Sequence, residues 1–144
     1  MLYFDTSILV PLIIPEATAE TVAALVRQHA GARFATSHWT QVEFASMIAR
    51  EVRMNRLGAQ GGSHANSEFA SLLDRSFTVL LPNADDFDLA RLYLMRFETG
   101  LRAGDALHLA IASNQKARAI YSLDNTMIKT GAKLGLPTIG LKTN

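Results

Sequence analysis

Four carboxylates, Asp5, Glu43, Asp105 and Asp124, lie about 38, 62 and 19 residues apart in the chain, so only a fold can bring them together. Clustered carboxylates repel one another and coexist only with protons or a cation. A donor set made of oxygen alone suits a hard ion. Mg²⁺ and Mn²⁺ take carboxylates and keep places for water and substrate phosphate. Such a centre activates a water and offsets the charge that builds on a phosphodiester during hydrolysis. The chemistry open to these residues is therefore that of a metal-dependent nuclease. Each acid also has a structural reading. An Asp at a helix start is a common cap, worth about 0.5–2 kcal/mol, and Glu43 taken alone is an ordinary solvated helix residue. What favours a shared site is convergence, which depends on the elements that carry them.

Leu2-Tyr-Phe4 reads as a short buried strand ending at Asp5-Thr-Ser7, whose side chains suit a helix cap. Ile8 to Ile14 continues as a short helix or turn until Pro15. Glu16 to Ala30 reads as a helix with Val22, Leu25 and Val26 on one face, stopped at Gly31. Arg33 to Thr36 is a second strand, and the helix after it runs to about Leu57 with Val42, Met47 and Ile48 inward. The glycine-rich Gly58 to Ser63 reads as a loop. Asn66–Ser76 is a helix and Phe77–Leu81 a strand. A helix from Asn83 or Asp85 runs to about Glu98 before Gly100, and another begins near Gly104-Asp105. Ala119–Ser122 is a strand, Asn125–Leu134 a helix, and Pro137–Ile139 a last strand. Strands alternating with helices predict an α/β architecture on a parallel sheet. Right-handed crossovers then align the strand C-termini along one edge. Asp5 and Asp124 follow strands, Asp105 opens a helix, and Glu43 lies about one turn into the helix after the second strand. All four can face that edge.

The 144 residues fit one domain, spanning residues 1–144. A hydrophobic fraction of 49% against 19% charged residues excludes a disordered chain. The absence of cysteine excludes disulfides, thiol nucleophiles and zinc–thiolate centres. The first residues lack a basic segment, and Ile8 to Ile14 is too short to span a bilayer, so a cytoplasmic protein without a membrane partner is expected. The net charge of +1 gives no general attraction to nucleic acid, so a nucleic-acid substrate needs local patches and metal ions.

Four segments carry a family likeness: Tyr3-Phe-Asp5-Thr-Ser-Ile-Leu-Val10, Ala35-Thr-Ser-His-Trp-Thr-Gln-Val-Glu43, Leu101-Arg-Ala-Gly-Asp105-Ala-Leu-His-Leu-Ala110 and Tyr121-Ser-Leu-Asp124. In this order and spacing, from about residue 2 to residue 140, the chain resembles the PIN-domain family, and within it the VapC-type toxins of prokaryotic toxin–antitoxin pairs. The resemblance implies a three-layer α/β/α sandwich around a central, mainly parallel sheet of four to five strands. It implies Mg²⁺- or Mn²⁺-dependent cleavage of RNA, a homodimer, and a cognate VapB-like antitoxin that inserts into the groove. Asp5 and Asp105 would be direct metal ligands, Asp124 a ligand or its neighbour, and Glu43 a ligand or the residue that orients the attacking water. A hydroxyl of Thr6 or Ser122 would support the site. Two positions depart from the family pattern. Ser122 stands where Thr is frequent, and Asn125 and Thr126 follow the fourth acid where many members carry a further charge. Whether one or two metals act stays open.

Other residues with chemical potential also have bland alternatives. His108, three residues beyond Asp105, can share its helix face and act as acid or base, but its apolar neighbours suit a packed core histidine. His29, His38 and His64 show no ligand spacing. Trp39 can stack a base, cap a core edge or meet a second subunit. Arg50, Arg53 and Arg56 form either a phosphate-binding stripe or a solvated helix face, and Arg102 is a better candidate for substrate contact. Glu16 is adequately explained by its place at a helix start. Two rival functions remain. A small aspartate-dependent phosphohydrolase needs Asp-x-Asp, where position 7 is Ser, and a late lysine, for which only Lys129 offers itself. A catalytically inactive α/β interaction module would keep the acids as remnants. The residues do not separate DNA from RNA as substrate; RNA rests on the resemblance.

Overall fold

Leu2, Tyr3 and Phe4 are all buried, yet they enter two different cores. Successive side chains of a strand point to opposite faces, so Leu2 and Phe4 join one apolar cluster and Tyr3 the other. The same alternation sends Ala119 and Tyr121 to the first core and Ile120 to the second. A strand buried on both faces must be covered on both faces. That requirement makes the three layers.

The computed structural model describes residues 1–141, so the last three positions of the expected domain, 142–144, lie outside the described residues. The strands are β1 (Leu2–Phe4), β2 (Phe34–Ser37), β3 (Thr78–Leu80), β4 (Ala119–Ser122) and β5 (Thr138–Gly140). They form one sheet in the order β3-β2-β1-β4-β5, with every pairing parallel. Helices α1 (Thr6–Leu9), α2 (Ala19–Gln28), α3 (His38–Arg53) and α4 (Ala59–Ser76) close the first core through Ile8, Val22, Phe44 and Phe69. Helices α5 (Ala84–Leu94), α6 (Ala103–Asn114) and α7 (Asn125–Lys133) close the second through Ala90, Leu109 and Met127. The α/β/α sandwich expected from the sequence is the fold observed. The chain leaves β1 toward β2 on one side, and β4 pairs with β1 on the other. The C-terminal edge of β1 and β4 is therefore the switch point at which open α/β sheets form a crevice.

Several local expectations are corrected. Gly58–Ser63 is not a loop: from Ala59 onward it is the first part of α4, and the turn lies at Met54–Gly58, with Asn55 in the left-handed region at φ 54°. A Cβ on Gly62 would stand 3.0 Å from Val52 Cγ2 and 3.1 Å from Ile48 Cγ2. Close packing of α4 on α3 thus overrides the helix-breaking tendency of glycine, about 1 kcal/mol per residue. Val42 is 56% exposed rather than inward. The buried stripe of α3 runs through Thr40, Phe44 and Ile48, and Val42 lies two residues, more than half a turn, away. The α2 helix starts at Ala19, after a turn that follows Pro15, and the helix expected to reach Glu98 ends at Leu94, followed by a 3₁₀ turn at Phe97–Thr99.

The rings of Phe44 on α3 and Phe69 on α4 stack with centroids 3.9 Å apart and planes 10° from parallel. Phe44→Ala is expected to lower unfolding free energy by about 3–5 kcal/mol in urea titration. A loss below about 1 kcal/mol would show that this contact does not secure α3 to the core.

Candidate active site

Asp5 leaves the central strand at its C-terminal end and is 3% exposed. It caps α1, with Oδ1 accepting from the Ile8 amide at 3.1 Å and from Ser7 Oγ at 2.7 Å. Its Oδ2 accepts from Ser122 Oγ at 2.6 Å. Burial raises the pKa of this carboxyl, while the hydrogen bonds from Ser122, Ser7 and the Ile8 amide act the other way. The cap and the site are thus the same residue. Capping does not exclude Asp5 from the crevice, which it lines.

Ser122, the last residue of β4, ties the first acid to the fourth: its hydroxyl donates to Asp5 and accepts from the Asp124 amide at 2.9 Å. Asp124 in turn caps α7, accepting from the Met127 amide at 2.8 Å. Ser7 makes a second bridge, donating to Asp5 and accepting from the Leu123 amide at 2.8 Å. The sequence marked Ser7 only as capping material. Its reach to the segment after β4 depends on a contact across 116 residues.

Glu43 projects from α3 and bonds through Oε2 to Thr6 Oγ1 and to His108 Nε2, the latter at 2.7 Å. Burial pushes its pKa up, but the hydrogen bond from His108, with Thr6 and Trp39 behind it, outweighs this and holds the carboxyl below its ordinary value. The indole N–H of Trp39 faces the same carboxylate at a geometry short of a hydrogen bond. Gly104 makes room: a Cβ there would lie 2.5 Å from Glu43 Oε1. His108 is packed in the second core at 1% exposure, as its apolar neighbours suggest, and it also lines the crevice.

Asp105 stands in the first turn of α6, where a negative charge complements the helix dipole. Its Oδ2 is buried without a hydrogen-bond partner. Burial, then the charge of Asp124, raises its pKa to about 6, with Asp5 and Glu43 adding to the rise. An orphaned carboxylate oxygen beside three other acids is the feature that most clearly suits a hard cation.

The four acids line one crevice of about 270 Å³ together with Thr6, Ser7, Val10, Met47 and His108. Among the described residues, no three His, Asp or Glu side chains are already arranged to hold a metal ion. Asp5, Asp124 and Glu43 already spend oxygens on amides, hydroxyls or His108. The donor set is nonetheless all hard oxygen, and Mg²⁺ is commonly bound by one or two carboxylates with several retained waters rather than by a closed cage. The residues fit such an ion.

Other candidates sit elsewhere. Arg102 is the exposed N-cap residue of α6 and is not part of the crevice lining. Arg56 lies beyond the end of α3 and pairs with Glu51 at 2.7 and 2.8 Å, which removes it from the expected stripe. Arg50 and Arg53 line a shallow surface along α3 with Trp39, Val42 and Met47. Lys129 is exposed on α7 and does not line the crevice. Among the described residues no helix is long and apolar enough to cross a membrane.

Fold and site together define a class: an α/β/α domain whose parallel sheet carries an acidic crevice at the C-terminal ends of its central strands. The chain belongs to the PIN-domain family, whose model matches residues 2–133. Comparison with curated protein sequences gave no match. Three solved structures share the fold at low sequence identity. VapC20 of Mycobacterium tuberculosis, described as a sarcin-ricin loop cleaving toxin, is 19% identical with a TM-score of 0.74, covering 91% of this chain and 95% of its own. FitAcB of Neisseria gonorrhoeae is 16% identical with a TM-score of 0.68, covering 96% of each chain. A toxin–antitoxin complex of Klebsiella pneumoniae is 18% identical with a TM-score of 0.64, again covering 96% of each.

Asp105 supplies a pH test. A carboxyl whose pKa is raised from 3.8 to about 6 on folding binds its proton more tightly in the folded state. The stability this contributes is present below about pH 4 and lost as pH rises through about 6. Without divalent ions, Asp105→Asn is expected to gain melting temperature relative to the parent as pH rises from about 4 to about 6.5. A pH-independent difference would contradict the placement of Asp105 among the other acids.

Proposed function

We propose that this protein is a Mg²⁺- or Mn²⁺-dependent ribonuclease, the toxin of a type II toxin–antitoxin pair. The observation that carries the reading is the convergence of Asp5, Glu43, Asp105 and Asp124 from four separate elements on one crevice, with Asp105 Oδ2 buried and unpaired. Family membership supports the nuclease reading. The fold likeness to a ribosomal-loop-cleaving toxin and to a toxin–antitoxin complex supports the biological role. RNA is then the substrate, a VapB-like antitoxin the cytoplasmic partner, and a homodimer the working form.

In this mechanism Asp5 and Asp105 would hold the cation, with Asp124 as a ligand or its neighbour and Glu43 as a further ligand or as the group that orients water. When bound, the ion supplies Lewis-acid polarisation of the scissile phosphate and a more acidic water. Glu43, with its pKa held down, stays ionised and is ready to accept a hydrogen bond from that water. Ser7 and Ser122 keep the Asp5 oxygens oriented, and Val10 and Met47 form the apolar wall of the crevice. An interaction module with vestigial acids would share the fold and bind partners without turnover.

The two readings separate in a cleavage assay on a mixed RNA pool with antitoxin-free protein. Cleavage is expected with Mg²⁺ or Mn²⁺, is abolished by EDTA, and falls by at least about 100-fold in Asp105→Asn. An unchanged circular dichroism spectrum of the variant separates this loss of turnover from unfolding. Metal-independent cleavage, or full activity in the variant, would contradict the proposal.

A further inference from the structure

Behind Glu43 lies a chain of hydrogen bonds that passes out of the crevice into the core. Tyr3, fully buried in β1, has its hydroxyl 2.8 Å from His108 Nδ1, and the two rings meet edge-on at 5.8 Å. His108 Nε2 lies 2.7 Å from Glu43 Oε2. Thr6 Oγ1 donates to the same oxygen and stands 3.3 Å from Nε2.

The polarity of this chain follows from what each group can do. An ionised carboxylate only accepts, so the hydrogen between His108 and Glu43 sits on Nε2. Among the described residues, the Tyr3 hydroxyl has a single hydrogen-bond partner, His108 Nδ1. Ser37 Oγ faces the same hydroxyl at a geometry short of a hydrogen bond. Were Nδ1 protonated, the buried phenolic hydrogen would face only the Ser37 oxygen, short of hydrogen-bond geometry, and lose its one well-placed acceptor. The phenol stays protonated, since burial raises its pKa far above neutrality. The hydroxyl therefore donates to Nδ1, and the imidazole carries its one hydrogen on Nε2.

We infer that Tyr3 and His108 are positioning residues that act through Glu43: Tyr3 O–H donates to Nδ1 of a neutral His108, whose Nε2–H fixes Glu43 Oε2. With Thr6 donating to the same oxygen, Oε2 is fully engaged, and Oε1 is the oxygen left for a cation or water. Gly104, by lacking a Cβ, admits Oε1 beside α6. The carboxylate is held against rotation by a side chain of the sheet's central strand. This is the arrangement in which a neighbour one step removed from a ligand orients it, and loss of such a neighbour typically costs 10–100-fold in activity or metal affinity. The consequence for turnover rests on the nuclease reading. The tautomer does not.

The test uses the full chain in two parts. In ¹⁵N-histidine-labelled parent protein near neutral pH, long-range ¹H–¹⁵N spectra should show His108 with a pyridine-like Nδ1 and a protonated Nε2. A protonated Nδ1, alone or together with Nε2, overturns the inference. In RNA cleavage, Tyr3→Phe with an unchanged circular dichroism spectrum should lower kcat by about tenfold or more, with KM within about twofold. His108→Gln, whose amide can still donate to Glu43, should recover more of kcat than His108→Ala. Unaltered kcat in a folded Tyr3→Phe protein overturns the positioning role. If the parent cuts no RNA at all, the nuclease reading fails, and the His108 spectrum still decides the hydrogen-bond chain.

Discussion

Like charges crowded at one end of a parallel sheet are the constraint around which this fold is arranged. Four carboxylates cannot share a small crevice without protons, a cation or many donors. The chain supplies donors first: the Ser7 and Ser122 hydroxyls and the Ile8 amide serve Asp5, the Met127 amide serves Asp124, and Thr6 and His108 serve Glu43. Asp105 Oδ2 is left over. The upward pKa shift of Asp105, to about 6, is the residue of repulsion and burial that those donors do not relieve. A hard cation would relieve it, and the same cation would perform the proposed chemistry.

The sheet makes this crowding possible. With every pairing parallel, the strands end along one edge, and the two central strands, β1 and β4, bring Asp5 and Ser122 within hydrogen-bond distance. Burial on both faces anchors those strands. Leu2, Phe4 and Tyr121 are gripped by one core, Tyr3 and Ile120 by the other. Tyr3 is the point where packing and proposed chemistry meet, since the residue that fills the second core also reaches the imidazole that holds Glu43. Helices and the short strand-to-helix joints at Asp5 and Asp124 carry the crevice, and the cap hydrogen bonds at those joints suit a site whose groups must stay oriented against their own repulsion.

Much of this was legible in the sequence, for identifiable reasons. Leu2–Phe4 and Ala119–Ser122 are short apolar runs bounded by polar residues, so their strands and the acids after them were read within a residue. The third acid was readable because Gly104-Asp105 opens an apolar helical run. What escaped reading was set by tertiary packing. Gly58–Ser63 has loop composition and became helix because Gly62 lets α4 press on Val52 and Ile48. Val42 was assigned inward by apolar character, while the buried stripe of α3 was decided by contact with α4 and the sheet. Arg50, Arg53 and Arg56 share a spacing of three, but the helix ends at Arg53 and Glu51 captures Arg56. The contacts of Tyr3 and Glu43 with His108 join residues 105 and 65 positions apart. No local pattern in a single sequence encodes them.

The central claim, that these acids form one hard-cation site, is tested most directly by growing crystals of the chain with Mn²⁺ and locating the ion by anomalous scattering. The account predicts a peak at bonding distance from Asp105 and from at least one of Asp5 and Asp124, absent in crystals of Asp105→Asn. A map without a peak in the crevice at saturating Mn²⁺, or with its only peaks elsewhere on the surface, would contradict it.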